Sequence, residues 1–167
     1  VVYFQIYLEG DLPYGFKKLQ RSVKELLEEF RAYGGSNIEY EFFNPSENPD
    51  QQTRNEIYKQ LFDKGLQPTN LQVKEKDGGQ SQKIIFPGMI VNYRSREYVL
   101  NILQNNPIYS PEINLNNSIQ NLEYEIVTAI KSLSTPFKEE IAFLDGHKEL
   151  EEMYVDDIYY TLSQNYS

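Results

Sequence analysis

A chain of 167 residues with a net charge of −9 and no cysteine has the size of one ordinary domain, or of one domain and part of another. The missing cysteine excludes disulfide, thiolate and zinc–thiolate chemistry, and the acidic field repels a phosphate backbone, so nucleic acid is not an expected partner. Hydrophobic residues at 40% and aromatic residues at 14%, carried by 14 Tyr and 9 Phe, supply enough apolar surface for a packed core.

The elements follow in chain order. Val2 to Leu8 alternate and are rich in β-branched and aromatic residues, the pattern of a strand. Glu9-Gly10-Asp11-Leu12-Pro13 then turns the chain. Phe16, Leu19, Val23, Leu26, Leu27, Phe30 and Tyr33 recur at helical spacing until Gly34-Gly35, which predicts a helix with a glycine stop. Ile38, Tyr40 and Phe42 alternate with Glu39 and Glu41, the pattern of a half-buried strand. After the turn residues Asn48-Pro49-Asp50, a second helix is predicted from Gln51 to Lys64, ending at Gly65.

The middle of the chain reads as β-structure. Leu71-Gln72-Val73 and Lys83-Ile84-Ile85-Phe86 flank Asp77-Gly78-Gly79, a hairpin signal. Pro87-Gly88 interrupts the second arm, Met89 to Tyr93 resume it, and Arg96 to Leu100 add one more strand. Asn105 to Asn114 form a Pro-, Asn- and Ser-rich connection, read as a boundary or mobile loop. Ile119, Leu122, Ile126, Ile130 and Leu133 mark a third helix that Pro136 stops. Ile141-Ala142-Phe143-Leu144 reads as a short strand buried on both faces, and Leu150, Tyr154, Ile158 and Leu162 as a last helix.

These elements predict an α/β fold: a mixed sheet with helices on its faces, with two leading βα units that give it a parallel start. The first 105 residues or so follow the thioredoxin-like element order, without the Cys-x-x-Cys that carries redox chemistry in such folds. The expected organisation is a thioredoxin-like domain over 1–105, a connecting loop and helix over 106–136, and a βα unit over 137–167 that opens a further module.

No complete catalytic constellation is present. Phosphate-cradling Gly-x-Gly-x-x-Gly and Gly-Lys-Ser/Thr motifs are missing, as are the Gly-x-Ser-x-Gly elbow and the Asp-x-Asp-x-Asp-Gly calcium loop. No cofactor is therefore expected. His147 is the only histidine, so any imidazole chemistry rests on it, with Asp145 and Glu149 near in sequence. It stands after a predicted strand, where open α/β sheets bind ligands, yet a Gly-His pair there also serves simply to start a helix. Glu9, Asp11, Pro13 and Tyr14 occupy the end of the first strand, and Phe86 and Pro87 a second strand end. Together with Asp145 and His147 they are the candidate contacts for a partner or ligand. For the Glu9–Asp11 pair, the competing structural role is to organise the turn through backbone N–H groups.

Several phrases in order carry a resemblance. They are Leu8-Glu9-Gly10-Asp11-Leu12-Pro13, Asn37-Ile38-Glu39-Tyr40-Glu41-Phe42, Asn55-Glu56-Ile57-Tyr58-Lys59-Gln60-Leu61 and Lys64-Gly65-Leu66-Gln67-Pro68-Thr69-Asn70. Ile85-Phe86-Pro87-Gly88, Asn121-Leu122-Glu123-Tyr124-Glu125 and Ile141-Ala142-Phe143-Leu144-Asp145-Gly146-His147 follow. The series resembles the gliding-motility-type auxiliary component of ABC transporters from Bacteroidetes, and it covers nearly the whole chain. The resemblance implies a membrane-anchored protein whose soluble part is periplasmic and works beside ABC permease and ATPase subunits or other envelope proteins. Membrane contact would come only through anchors outside this chain, in keeping with an opening at Val1-Val2-Tyr3-Phe4 that reads as cut from a longer protein. No catalytic residue comes with the resemblance.

Three functional readings follow. The first is a non-catalytic interaction domain of the transport complex, and the second a module that binds a small solute. The third is an enzyme using His147. A cavity of about 300 Å³ or more, lined by Tyr and convergent polar groups, favours the solute reading; an exposed apolar patch favours the partner reading.

Overall fold

In a computed structural model of the chain, strand β1 (Val2–Ile6) runs inside a four-stranded sheet of order β2-β1-β5-β6. The structure describes residues 1–74, 80–135, 140–144, 147, 150, 154–163 and 166. These fall in two compact units, Val1–Leu133 and Ser134–Ser167. In the first unit β2 (Ile38–Phe42) lies parallel to β1, and β5 (Gly88–Tyr93) lies antiparallel on its other side, followed by β6 (Arg96–Asn101). The fold is therefore α/β with a mixed sheet, as the alternating patterns predict.

The pleat sorts side chains onto two faces. On one face Val2, Phe4 and Ile6 of β1 join Met89 and Val91 of β5 in the main core. Helix α1 (Tyr14–Gly34) covers that face with Phe16, Leu19, Val23 and Leu27, a stripe at three- and four-residue spacing. Helix α3 (Pro111–Ser134) adds Leu122, Ile126, Ala129 and Leu133 to the same cluster. Each large apolar side chain buried here stabilises the fold by about 1.5–3 kcal/mol. Helix α3, read from sequence with the connecting segment, thus shares the first unit's core.

The opposite face is covered over part of its area. Helix α2 (Gln51–Asp63) packs Leu61 with Leu66, Phe86 and Ile90, joined by Tyr58 and Val99. The Asp50 carboxylate caps this helix by accepting the Thr53 N–H at 2.7 Å, and that bond holds the carboxyl below its ordinary range. Beyond α2 the face turns polar, with Tyr3, Gln5, Glu39, Glu41 and Asn92 in register across three strands.

The hairpin signal needs correction in one respect. Its arms, β3 (Thr69–Lys74) and β4 (Gln80–Ile85), pair antiparallel but form a separate two-stranded sheet. The expected turn Asp77-Gly78-Gly79 lies outside the described residues. Pro87-Gly88 is the break between the sheets: Pro87 has no N–H to give a ladder, and the Gly88 N–H turns back to the Phe86 carbonyl at 2.8 Å. The Pro87 carbonyl then accepts the Ile102 N–H at 2.9 Å, and the Gly88 carbonyl accepts the Tyr7 N–H at 2.9 Å. With β3–β4 set aside, the order strand-helix-strand-helix-strand-strand-helix is the thioredoxin-like one.

In the second unit, helix α4 (Asp156–Ser163) stands near Phe143, whose ring centroid is 5.7 Å from that of Tyr159. Ile141 to Leu144 do not form the buried strand read from sequence: they have no regular structure and are exposed, Leu144 by 79%. A strand needs a ladder partner and, to be buried twice, a layer on each face; the described residues of this unit offer one eight-residue helix. No helix of the described residues is long and apolar enough to cross a membrane.

Gly88 gives a direct test of the break between the sheets. A Cβ there would stand 2.5 Å from Leu66 Cδ2 and 2.9 Å from the Leu100 carbonyl oxygen, a backbone atom. Gly88→Ala is expected to lower stability by about 1–3 kcal/mol in urea unfolding. An unchanged midpoint would show that β5 and β6 are not packed this closely.

Candidate functional site

Two strand-end turns read separately from sequence meet at one end of the sheet. Because β5 is antiparallel to β1, Ile6 faces Met89, and the chain leaving β1 passes the start of β5. The turn leaving β1 is built from polar side chains and one glycine. Glu9 accepts the Gly10 N–H at 3.2 Å and a Gln20 Nε2–H at 2.7 Å, while the same Gln20 amide reaches the Leu8 carbonyl at 2.9 Å. Gly10 has φ +110°, and a Cβ there would lie 2.9 Å from the Asn44 amide, so only glycine serves. Asp11 pairs with Lys83 of β4, an exposed contact of small energy. Pro13 sets the start of α1 with φ −58°, and Tyr14 beside it is 85% exposed.

Phe86 and Pro87 are corrected as contacts. Phe86 is 1% exposed, its ring tilted 41° against that of Tyr58 at 5.5 Å, and Pro87 is buried. They pack α2 and anchor the second turn, and neither presents a surface to a partner. Asp145 lies outside the described residues, and His147 is exposed in the second unit. Among the described residues, no three His, Asp or Glu side chains stand close enough to hold a metal ion.

Beside the first turn is a hollow of about 430 Å³ floored by Phe16, Leu71, Leu103 and Leu115 and edged by Tyr109 and Pro111. Its wall is the segment before α3, which the sequence reads as a mobile connection. Asn114 fixes that segment: its Nδ2–H groups reach the Asn106 carbonyl at 2.9 Å and the Tyr109 carbonyl at 3.5 Å. Ser118 holds the Gln104 N–H at 2.8 Å. The chain so pinned lifts Ile108 into solvent at 84% exposure, with Tyr109 and Ile113 about half exposed. Gly15 brings α1 against α3 here, since a Cβ on it would come 2.7 Å from Leu115 Cδ1. Tyr14, one residue before, therefore stands at the same end of the domain as Ile108 and Ile113.

A second depression, of about 630 Å³, runs between α1 and β2. Lys17, Arg21 and Lys24 line one side, with Glu9 and Gln20 at one end; Tyr40, Glu41 and Phe42 line the other. Tyr40 and Phe42 meet edge to face at 6.2 Å. Burial and the neighbouring Glu28 carboxylate raise the Tyr40 phenol above its ordinary range. Sequence reading singles out neither the hollow nor this groove. The exposed Ile108 and Tyr109 sit in a segment rich in loop residues, and the basic cluster Lys17, Lys18, Arg21 is too sparse for a nucleic-acid surface. The spacing of Lys17, Arg21 and Lys24, one face of a helix, was nonetheless available.

Glu41 is tied to the far face of the sheet, where Tyr3 Oη donates to it at 2.7 Å. That bond first, then burial and the carboxylate charge, pushes the Tyr3 phenol up to about 12. A raised phenol means that the folded state keeps the proton more tightly. The associated stability is present below the ordinary value near 10 and is lost as pH climbs through about 12. Difference ultraviolet titration of the wild type against Tyr3→Phe is expected to place this phenol well above the ordinary value of about 10, and Glu41→Gln to bring it down. A Tyr3 phenol that titrates in the ordinary range would mean the bond is not made.

Residues 1–92 match the family described as a domain of unknown function, DUF7088. No curated protein and no solved structure matches the chain. The match takes in the turn after β1, the groove between α1 and β2, and the Pro87-Gly88 break, whereas Ile108 and Ile113 lie beyond it. Since the matched segment is more than half of the 167 residues, the chain belongs to the DUF7088 family.

Proposed function

We propose that this chain is a non-catalytic, extracytoplasmic docking domain of a membrane-anchored auxiliary protein in an ABC-transport complex. On this reading it works by protein–protein contact in the periplasm, beside permease and ATPase subunits, and holds no cofactor. The observation that supports it is the apolar rim at the start of α1 and the start of α3. Tyr14 and Ile108 are 85% and 84% exposed there, with Tyr109 and Ile113 alongside. Large apolar side chains held out by a pinned backbone are expensive to leave in water and effective when covered, at about 1.5–3 kcal/mol each. Tyrosine and isoleucine of this kind form the buried centre of an interface, with polar residues such as Asn105 and Asn106 at its rim. The resemblance to the gliding-motility-type auxiliary components supplies the class of partner.

A small-solute site in the hollow beneath this rim is the second reading, favoured by a volume of about 430 Å³, within the range of ligand pockets. Against it, the most buried polar side chain of the lining, Asn114, spends its amide on the Asn106 and Tyr109 carbonyls. It has little left to orient a ligand.

Affinity purification of the full-length, anchored protein from detergent-solubilised membranes tests the proposal. Permease and ATPase subunits are expected to copurify, and the pair Tyr14→Asp with Ile108→Asp to reduce their recovery about tenfold or more. Recovery of neither subunit with the wild-type protein would overturn it. A solute that binds tightly and is blocked by filling the hollow (Leu103→Trp) would favour the second reading.

A further inference from the structure

Strand β2 is an edge of the sheet, with β1 on one side only. Its outward backbone can be identified. The Phe43 N–H points inward to the Ile6 carbonyl at 2.7 Å, so by the two-residue alternation of a parallel ladder Glu39 and Glu41 also turn their backbone toward β1. Tyr40 and Phe42 then turn theirs outward, and among the described residues no hydrogen bond from another element reaches those groups. An open edge of this kind is a template for a further strand.

The side chains around the edge state what that strand must carry. On the α1 side, Lys17, Arg21 and Lys24 overhang the groove beside Tyr40 and Phe42. Neither Lys17 nor Arg21 forms an ion pair among the described residues, and Lys24 approaches only Glu28, at 3.9 Å. Of the two acids lining the groove, Glu9 is engaged by Gln20 and Glu41 by Tyr3. In a chain of net charge −9, three cations gathered on one helix face, two of them without an ion pair among the described residues, are complementary to an acidic ligand. On the opposite face, Glu39 and Glu41 are exposed and project from the same strand. Carboxylates directly across from them would be repelled. An acidic strand therefore fits only if its acids all point toward α1 and its alternate residues are polar or basic.

We infer that β2 accepts an extended acidic segment of a partner protein as an added strand. The segment's alternate carboxylates meet Lys17, Arg21 and Lys24, and its backbone bonds to Tyr40 and Phe42. This site is separate from the apolar rim and does not rest on the transporter reading: it is tested on the isolated chain, and its failure would leave the copurification result untouched.

The test is binding of a labelled, capped peptide of about eight residues in which glutamate alternates with threonine and lysine, followed by fluorescence anisotropy and amide NMR on the whole chain. The Tyr40 and Phe42 amides are expected to shift and to gain protection from exchange. Lys17→Glu/Arg21→Glu/Lys24→Glu is expected to weaken binding about tenfold or more, and raised salt to weaken it for the wild-type chain. N-methylation of the peptide at alternate backbone positions is expected to abolish binding in one register of methylation and to spare it in the other. The inference is overturned by absence of binding at about 1 mM peptide. It is equally overturned by binding that ignores charge reversal and salt, or by binding in which both methylated peptides bind as well as the parent, the mark of mere charge attraction.

Discussion

Everything that positions a surface in this domain depends on strand β1 being paired on both edges and packed on one face by α1 and α3. Its parallel partner β2 and antiparallel partner β5 satisfy its backbone groups, which an interior strand cannot leave unpaired. Val2, Phe4 and Ile6 commit one face to α1 and α3, while Tyr7 joins the cluster of Leu61 and Phe86 on the other. A one-residue slip of register would exchange these faces and drive Glu39 and Glu41 into the core. The direction in which the chain leaves β1, and so the placement of Glu9, Asp11 and Tyr14, follows from that fixed register.

From this centre the two surface features arise differently. The apolar rim is held by buried polar bonds: Asn114 and Ser118, both nearly inaccessible, tie the segment before α3 to the helix itself. That is why Ile108 can stand exposed without the backbone folding over it. The groove beside β2 instead follows from topology, since a parallel neighbour on one side leaves the other side of an edge strand open. Its cations lie on the solvent face of α1, whose other face carries Leu19, Val23 and Leu27. The exposed ion pairs of the domain, such as Lys64 with Glu97 at 2.9 Å, contribute little beside these packing terms.

Most of the fold was legible in residue order because local pattern and global packing agree. The alternation of Ile38, Tyr40 and Phe42 with glutamates, and the stripe of Phe16, Leu19, Val23 and Leu27, each have one compatible structure. Legibility failed where a choice depended on distant partners. Lys83 to Phe86 and Met89 to Tyr93 look like one interrupted strand, and only the packing of Gly88 against Leu66 and Leu100 assigns them to different sheets. Ile141 to Leu144 are apolar enough for a buried strand, but apolarity supplies no ladder partner. Phe86 reads as a turn residue and is instead core, whereas Ile108 reads as loop and is the most exposed isoleucine of the first unit. Of the candidate site residues, Glu9, Asp11, Pro13 and Tyr14 do gather at one sheet end, and Tyr14 alone among them presents a large apolar surface.

On the proposed function, the rim at Tyr14 and Ile108 is the face that meets the transporter. Site-specific photo-crosslinking in intact membranes addresses it most directly, with a photoreactive amino acid placed in the full-length protein at Ile108 or, for comparison, at Lys59 on the exposed side of α2. A crosslink to a permease subunit is expected from position 108 and none from position 59. Equal crosslinking from both positions, or capture from position 59 alone, would contradict it.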